Sequence, residues 1–150
     1  MKKTLIILSL LLIIFFVIIF MLFIYSRNTQ NLKQSVQTFN QEYEQYINKE
    51  ITGTELVTLI GKAINNNEKN NIPKDNKNYY LADDAYCLKI YVKFLDSDVS
   101  YEMERINAVG INQFIANYNT ANFKCTECIY NKQTGRVGQM TFEEQPDVSP

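Results

Sequence analysis

The chain begins with an uninterrupted apolar run. Residues from Thr4 to Ser26 carry no charge, and Leu5 to Ile24 consists almost entirely of Leu, Ile, Phe, Val and Met. As a helix rising about 1.5 Å per residue, the run would be roughly 34 Å long, enough to cross the hydrocarbon core of a bilayer. The pattern therefore predicts a transmembrane helix.

A cleaved signal peptide is the alternative interpretation of this run. The apolar part of a signal peptide is about 7–15 residues long and is followed by small residues at the cleavage site. The run here is longer, and its exit from Phe23 to Arg27 contains no A-x-A-like site. We therefore favour an uncleaved anchor over residues 1–26.

Flanking charges predict the orientation of this helix in the membrane. Lys2, Lys3 and the amino terminus precede the run, whereas Arg27 and then Lys33 follow it. The positive-inside rule favours a cytoplasmic N-terminus. We therefore expect a single-pass protein of the cell membrane whose C-terminal domain is extracytoplasmic.

An apolar stripe at helical spacing follows the anchor. Because no Gly or Pro interrupts the chain, residues 4 to 48 are predicted to form one nearly continuous helix. The stripe either packs on the domain's own sheet or mediates self-association. Two heptads are short for a free-standing coiled coil, so we favour packing on the sheet. The stripe consists of Leu32, Val36, Phe39, Tyr43 and Tyr46.

A capping motif marks the start of a second helix. Thr52 and Glu55 have the S/T-x-x-E spacing of a capping box, in which two reciprocal hydrogen bonds stabilise a helix N-terminus. Apolar residues then recur at helical spacing, and the run Asn65 to Asn67 predicts a frayed end. The apolar face of this helix is Leu56, Leu59, Ile60, Ala63 and Ile64.

Alternation of apolar and polar residues marks the strands. From Tyr86 to Phe94 every second residue is apolar, which predicts a strand with one face in the core and Lys89 on the wetter face. A hairpin is predicted over 122–130 and 136–143, where Gly135 supplies positive φ in the turn. The remaining predictions are a loop over 68–78, helices from Ser100 to Asn107 and from Ile111 to Tyr118, and a disordered tail over 144–150.

These elements predict an α+β fold. A transmembrane helix continues into an amphipathic helix, and a small antiparallel sheet of about three strands packs with short helices. A chain of 150 residues has room for one soluble core once the anchor is set aside. The predicted parts are residues 1–26 as N-terminal tail and anchor, 27–143 as soluble domain and 144–150 as disordered tail.

Composition argues against several classes of function. The chain carries 15 basic and 16 acidic residues, so no basic excess favours nucleic acid. It has no histidine, the residue most used for acid–base chemistry near neutral pH and the commonest zinc ligand. The sequence contains no P-loop, G-x-S-x-G, G-x-G-x-x-G or H-E-x-x-H motif. We therefore expect a non-enzymatic protein without a cofactor.

Acidic pairs suggest a cation site at first sight. Asp96 and Asp98, together with Glu102 and Glu104, offer oxygen ligands, and Asp83 is followed by a second aspartate. The twelve-residue calcium-loop pattern is absent, and acids between elements are usually solvated turn residues. We therefore expect no metal site.

Three cysteines, Cys87, Cys125 and Cys128, lie in the soluble part. The C-x-x-C spacing of the last two suggests redox or zinc chemistry. Redox motifs of this kind occupy a helix N-terminus, whose dipole stabilises the thiolate, whereas the flanking residues here indicate a strand. A structural zinc site needs four ligands, usually Cys and His, and this chain has three cysteines and no histidine.

Strand alternation predicts a different use of these thiols. It places Cys125 on the core face, and Cys87 and Cys128 on the polar faces of their strands. If the two strands are neighbours, a Cys87–Cys128 disulfide would stabilise the domain by about 2–4 kcal/mol in an oxidising compartment. Cys125 would remain a buried free or redox thiol. The alternative is that all three cysteines are reduced and fill space.

Two stretches carry a resemblance to known sequences. Phe39 to Glu44 and Gly53 to Ile60, with the later Phe123-Lys124-Cys125-Thr126 and the Tyr130-x-x-x-Thr134-Gly135 pattern, resemble small membrane-anchored proteins of low-GC Gram-positive bacteria. The similarity covers most of the soluble part without a sharp motif. It implies a host lineage and an anchored domain, and no activity.

The predicted anatomy is similar to that of type IV pilin-like subunits. In these proteins a long hydrophobic helix runs into an amphipathic one, followed by a small antiparallel sheet with late cysteines. Members carry Gly or Ala before the hydrophobic run and Glu at its fifth position, whereas this sequence has neither. No functional residue is carried over from that family.

These inferences predict a non-enzymatic, membrane-tethered structural or protein-interaction component of a bacterial envelope assembly. Its expected partners are the lipid bilayer and, through the membrane and juxtamembrane helix, other copies or other envelope proteins. One alternative is a thiol-redox protein using Cys125 and Cys128. Another is an extracytoplasmic ligand-sensing module, although Met1 to Thr4 are too few residues for a cytoplasmic output domain.

Overall fold

The computed structural model describes residues 2–97 and 99–146. The chain divides into two compact units, Met1–Thr38 and Phe39–Pro150. Helix α1 (Lys2–Glu44) supplies the first unit and the start of the second. The predicted continuous helix is therefore confirmed as far as Glu44.

Helix α1 exposes its apolar side chains. Every residue from Leu10 to Ile24 is large, apolar and 44–65% exposed. By length and composition this helix is able to cross a membrane. These side chains face the surroundings instead of a protein core, as in a membrane-spanning helix or a signal sequence.

The second unit is built on one five-stranded mixed sheet. Strands β4 and β5 form the predicted hairpin, and β5 also pairs in parallel with β2. The strand order is β1-β4-β5-β2-β3, and every pairing other than β2 with β5 is antiparallel. The elements after α1 are β1 (Glu50–Thr52), α2 (Gly53–Lys69), β2 (Lys89–Lys93), β3 (Ser100–Glu102), α3 (Met103–Val109), α4 (Ile111–Tyr118), β4 (Asn122–Tyr130) and β5 (Val137–Glu144).

The α+β class is confirmed, but three details of the prediction are wrong. The sheet is mixed and has five strands, because β5 enters between β2 and β4 and two short strands lie at its edges. The predicted helix from Ser100 begins at Met103, after β3. The predicted disordered tail starts too early, since Glu144 ends β5 and the Gln145 amide donates to the Asn122 carbonyl at 2.7 Å. Residues 147–150 of that tail lie outside the described residues.

The core lies on one face of the sheet. Ile90 and Val92 of β2 and Met140 and Phe142 of β5 are fully buried at alternate positions, as strand geometry requires. Helix α2 covers them with its amphipathic face, whose predicted residues Leu56, Leu59, Ile60 and Ala63 are all buried.

The stripe that follows the anchor is divided between the two units. Leu32 is 58% exposed. Tyr43 is buried in the core of the second unit, and Phe39 packs on its ring with the centroids 4.8 Å apart. Phe39, Tyr43 and Tyr46 thus pack on the domain's own core, in agreement with the favoured interpretation.

The start of α2 is held by a capping box and a close backbone contact. The Thr52 amide donates to Glu55 Oε2 at 2.9 Å, and the Glu55 amide donates to Thr52 Oγ1 at 3.3 Å. Its other end is not frayed, because Asn67 is buried and its amide exchanges hydrogen bonds of 2.8 and 2.9 Å with the backbone of Leu88. At Gly53 an added Cβ would collide with the Tyr118 carbonyl oxygen.

Two glycines of α2 should respond in opposite ways to Ala. Gly53→Ala should lower the free energy of unfolding by about 1–3 kcal/mol or more, because the methyl group meets a backbone carbonyl that cannot move aside. Gly61→Ala is the matched control. Apart from its chain neighbours and the backbone of its own helix, no atom of the described residues lies within 4 Å of the added Cβ, so helix propensity should raise stability by about 0.5–1 kcal/mol.

Urea unfolding of the full chain in detergent, followed by tyrosine fluorescence, measures both effects. Stabilisation by Gly53→Ala would contradict the close packing of α2 on the end of α4.

Candidate functional site

Two cavities border helix α3 in the second unit. Arg105 and Val109 of this helix line both of them. One cavity is walled mainly by aromatic rings, and we call it the aromatic cavity. The other lies between α3 and the long connection from α2 to β2, and we call it the loop cavity.

The aromatic cavity has a volume of about 250 Å³. Its walls are four rings: Phe94, which follows β2, Tyr101 of β3, and Phe114 and Tyr118 of α4. The Phe94 ring lies 4.7 Å from that of Tyr118 and 5.3 Å from that of Tyr101, within the range of favourable aromatic pairs. Burial, aided by the nearby Asp96 carboxylate, raises the pKa of Tyr118, so its hydroxyl stays protonated.

Polar side chains surround the opening of the aromatic cavity. Asp96, Gln113 and Asn117 are exposed and line it, and the Arg105 guanidinium carbon lies 4.5 Å from the centre of the Tyr101 ring. The opening therefore combines one negative charge, one positive charge and two amides. Apolar walls with a few converging polar groups are typical of binding sites.

The loop cavity has a volume of about 390 Å³ and a charged lining. Glu68 of α2, Lys74 and Lys77 of the connection, and Glu104 and Arg105 of α3 all contribute to it. The Lys74 ammonium lies over the Tyr80 ring, 4.4 Å from its centre.

A buried ion cluster links α3 to the sheet. The Lys89 side chain is only 2% exposed, and its ammonium donates to Glu104 Oε1 at 2.8 Å and to Glu102 Oε2. The Tyr80 amide also donates to Glu104 Oε1, at 3.0 Å. The cluster therefore ties β2, β3, α3 and the α2–β2 connection together.

The prediction that Lys89 lies on the solvent-facing side of its strand is wrong, because its side chain is buried. The α2–β2 connection folds over it, and the alternation of apolar and polar residues within one strand does not predict such a contact. Burial alone lowers the pKa of Lys89, but the hydrogen bonds to Glu102 and Glu104 outweigh this effect and raise the pKa above its ordinary value. Glu102 and Glu104, considered above as ligands of a metal ion, are paired with the Lys89 ammonium.

The strand arrangement overturns the basis of the predicted disulfide. Cys87 precedes β2, and strand β5 lies between β2 and the strand β4 that carries Cys128, so the two cysteines do not lie on neighbouring strands. All three cysteines are free thiols in this structure.

The predicted faces of the cysteines are also partly wrong. Cys125 is buried as expected and pairs with Phe142. A β-bulge then shifts the register before Glu127, so Cys128 pairs with Met140 and faces the same side as Cys125. Cys87 is buried too. One extra residue in a strand reverses the faces of all those that follow.

The environment of these thiols disfavours the thiolate. Burial raises the pKa of Cys125 to about 11 and that of Cys87 to about 12, and it also raises the pKa of Cys128. Reactive cysteines instead occupy sites that lower the pKa, such as helix N-termini. This geometry gives no support to redox chemistry at the C-x-x-C pair.

Sequence reasoning missed the aromatic cavity. Its rings come from the residue that follows β2, from β3 and from α4, and β3 has only three residues, too few for alternation to be visible. The available signal was the density of aromatic residues between Phe94 and Phe123. That signal alone does not distinguish a core from a binding site.

Lys89→Met should lower the free energy of unfolding by about 3–5 kcal/mol, because two carboxylates lose their cation. Lys93→Met is the matched control, since the Lys93–Glu143 pair is exposed and should matter little. Folding raises the pKa of Lys89 above its unfolded value of about 10.4. The stability that the Lys89 charge contributes is therefore fully present below about pH 10.4 and is lost as the pH rises through the pKa of the folded state. Equal urea stability of the two variants at pH 7 would contradict the cluster's role.

The three thiols should react slowly in the folded chain. At pH 8 a maleimide should modify Cys128 before the other two cysteines of the folded chain. It should modify Cys87 and Cys125 more than about tenfold more slowly than in the chain unfolded by urea, because burial suppresses their thiolates. Mass spectrometry of timed samples measures this order, and Cys128→Ser should remove the fastest phase. Rapid modification of Cys125 in the folded chain would instead indicate an activated thiol.

Comparison with known proteins gives no relative. No protein-family model, no curated protein and no solved structure matches the chain. The resemblance to pilin-like subunits stays a prediction.

Proposed function

We propose that the chain is a non-enzymatic, membrane-tethered protein-interaction component of a bacterial envelope. Helix α1 anchors it, and the aromatic cavity receives an extended peptide segment of an envelope protein. The domain from residue 39 onward is extracytoplasmic in this proposal.

The surface of α1 supports the anchor. An exposed run of apolar side chains from Leu10 to Ile24 is costly in water and favourable in hydrocarbon. Lys2 and Lys3 before the run, against Arg27 after it, favour the amino terminus on the cytoplasmic side.

The aromatic cavity is the observation that carries the interaction role. Val109 lines it and is 59% exposed, and Arg105 lies against the Tyr101 ring at its edge. An exposed aliphatic side chain beside aromatic rings, with an arginine at the edge, is a feature of protein interfaces.

The opening of the cavity suits an extended peptide. Gln113 and Asn117 lie four residues apart on α4, so their Cβ atoms are about 5–6 Å from each other on one face. Each amide offers one acceptor and donor hydrogens, the same pair of groups that a peptide bond presents. Alternate residues of an extended chain repeat at about 6.6–6.8 Å, close to that spacing. One apolar side chain of the segment then fills the aromatic cavity.

Photo-crosslinking in cells that produce the full chain tests this proposal. Benzoylphenylalanine at Val109 should give a protein adduct, and mass spectrometry should locate the crosslink on an apolar residue within one defined segment. Asn117→Trp, which places a large ring at the opening, should reduce that adduct by about tenfold or more. The same crosslinker at Lys132, in the β4–β5 turn, is the matched control position.

Several results would contradict the proposal. These are equal adducts from positions 109 and 132, an adduct unaffected by Asn117→Trp, and crosslinks spread over unrelated segments. Crosslinks to sugars alone would assign the cavity to a glycan.

A further inference from the structure

The two cavities share a rim on helix α3. Arg105 and Val109 line both of them, and both residues are exposed. They lie four residues apart, so their Cβ atoms are about 5–6 Å from each other on one face of the helix. A chain segment that fills the aromatic cavity and crosses this rim therefore enters the loop cavity.

The lining of the loop cavity carries an excess of positive charge. Its two carboxylates belong to Glu68 and Glu104. Glu104 is buried, and its Oε1 accepts hydrogen bonds from the Lys89 ammonium at 2.8 Å and from the Tyr80 amide at 3.0 Å, so its charge is already balanced. Among the described residues of this lining, three cations therefore face the remaining carboxylate of Glu68. The cations are Lys74, Lys77 and Arg105.

A tight turn holds Lys74 and Lys77 at the loop cavity. Lys74 forms an antiparallel bridge with Tyr80, and its ammonium lies 4.4 Å from the centre of the Tyr80 ring. Asp75 fixes the turn, because its carboxylate accepts hydrogen bonds from the amides of Lys77 at 2.8 Å and Tyr79 at 2.9 Å. Neither lysine forms a salt bridge with a residue that the structure describes. The charges of both are therefore available to a ligand.

Arg105 presents its charge in a form that suits a carboxylate. Its guanidinium carbon lies 4.5 Å from the centre of the Tyr101 ring, and it forms no salt bridge within the described part of the chain. A guanidinium stacked on a ring keeps its N–H donors at its edge, where they match the two oxygens of a carboxylate. A segment that crosses the shared rim therefore meets this cation first.

We infer that the segment docked in the aromatic cavity carries an Asp or Glu whose carboxylate binds to Lys74, Lys77 and Arg105 in the loop cavity. This inference rests on the proposed function, since it specifies the chemistry of the same partner. A helix with its side chains is about 10–12 Å across, and an extended chain rises about 3.3 Å per residue. The acidic residue is therefore about three or four residues from the apolar side chain that fills the aromatic cavity.

Crosslinking from both cavities in cells tests this spacing. Benzoylphenylalanine at Asn107, an exposed residue that lines the loop cavity, should give an adduct with the same protein as benzoylphenylalanine at Val109. Mass spectrometry should locate the two crosslinks within about three or four residues of each other, in a segment that contains Asp or Glu.

Charge variants test the role of the carboxylate. Lys74→Glu combined with Lys77→Glu should reduce the adduct from position 109 by about tenfold or more, because the acidic residue then meets like charges. Both lysines are exposed, so the double variant should keep the fold. Lys132→Glu, at an exposed lysine of the β4–β5 turn, is the matched control and should leave the adduct unchanged.

A synthetic peptide with the crosslinked sequence separates the two charges. It should bind the full chain in nanodiscs about tenfold more tightly than a peptide in which the acidic residue is replaced by its amide. The amide peptide should bind the parent chain and the double lysine variant equally well. Fluorescence anisotropy of the labelled peptides measures both comparisons.

The inference and the proposed function fail in different ways. An adduct that Asn117→Trp removes but the double lysine variant leaves intact would overturn the inference and keep the aromatic cavity as a docking site. Equal binding of the acidic and amide peptides would do the same, as would crosslinks from position 107 to lipid alone. Absence of an adduct from position 109 would overturn both.

Discussion

The pairing of β5 on both of its sides is the constraint on which the folded domain depends. The last strand lies between β2 and β4, parallel to the first and antiparallel to the second. Its buried residues Val137, Met140 and Phe142 lie at the centre of the core. Until this strand is in place, β2 and β3 have no connection through the sheet to β4 and β1. The long connection from α2 to β2 is therefore positioned by contacts distant in sequence.

The buried Lys89 cluster fixes the position of helix α3 relative to the sheet. Lys89 belongs to β2, and its carboxylate partners Glu102 and Glu104 belong to β3 and α3. Since α3 separates the two cavities, the position of both depends on this ion cluster. A hydrophobic replacement for such a cluster is often no less stable, so its retention here is consistent with a role in orienting α3.

Local signals in the sequence predicted the local elements. The apolar run of α1, the capping box at Thr52 and the β4–β5 hairpin each follow from patterns within one segment. The edge strands β1 and β3 were not predicted, because a strand of three residues is too short to show periodicity. The parallel β2–β5 pairing, the bulge that turns Cys128 towards the side of Cys125, and the burial of Lys89 depend on distant residues. The two cavities were not foreseen, since each joins elements far apart in sequence.

The central claim is that the domain functions while helix α1 anchors it in the membrane. The intact mass of the chain in carbonate-washed membranes, compared with that in the soluble fraction, tests this claim most directly. The account predicts that the washed membranes retain a chain whose mass still includes residues 1–26. A shorter chain without these residues, recovered in the soluble fraction, would show a cleaved signal sequence and would contradict the tethered function.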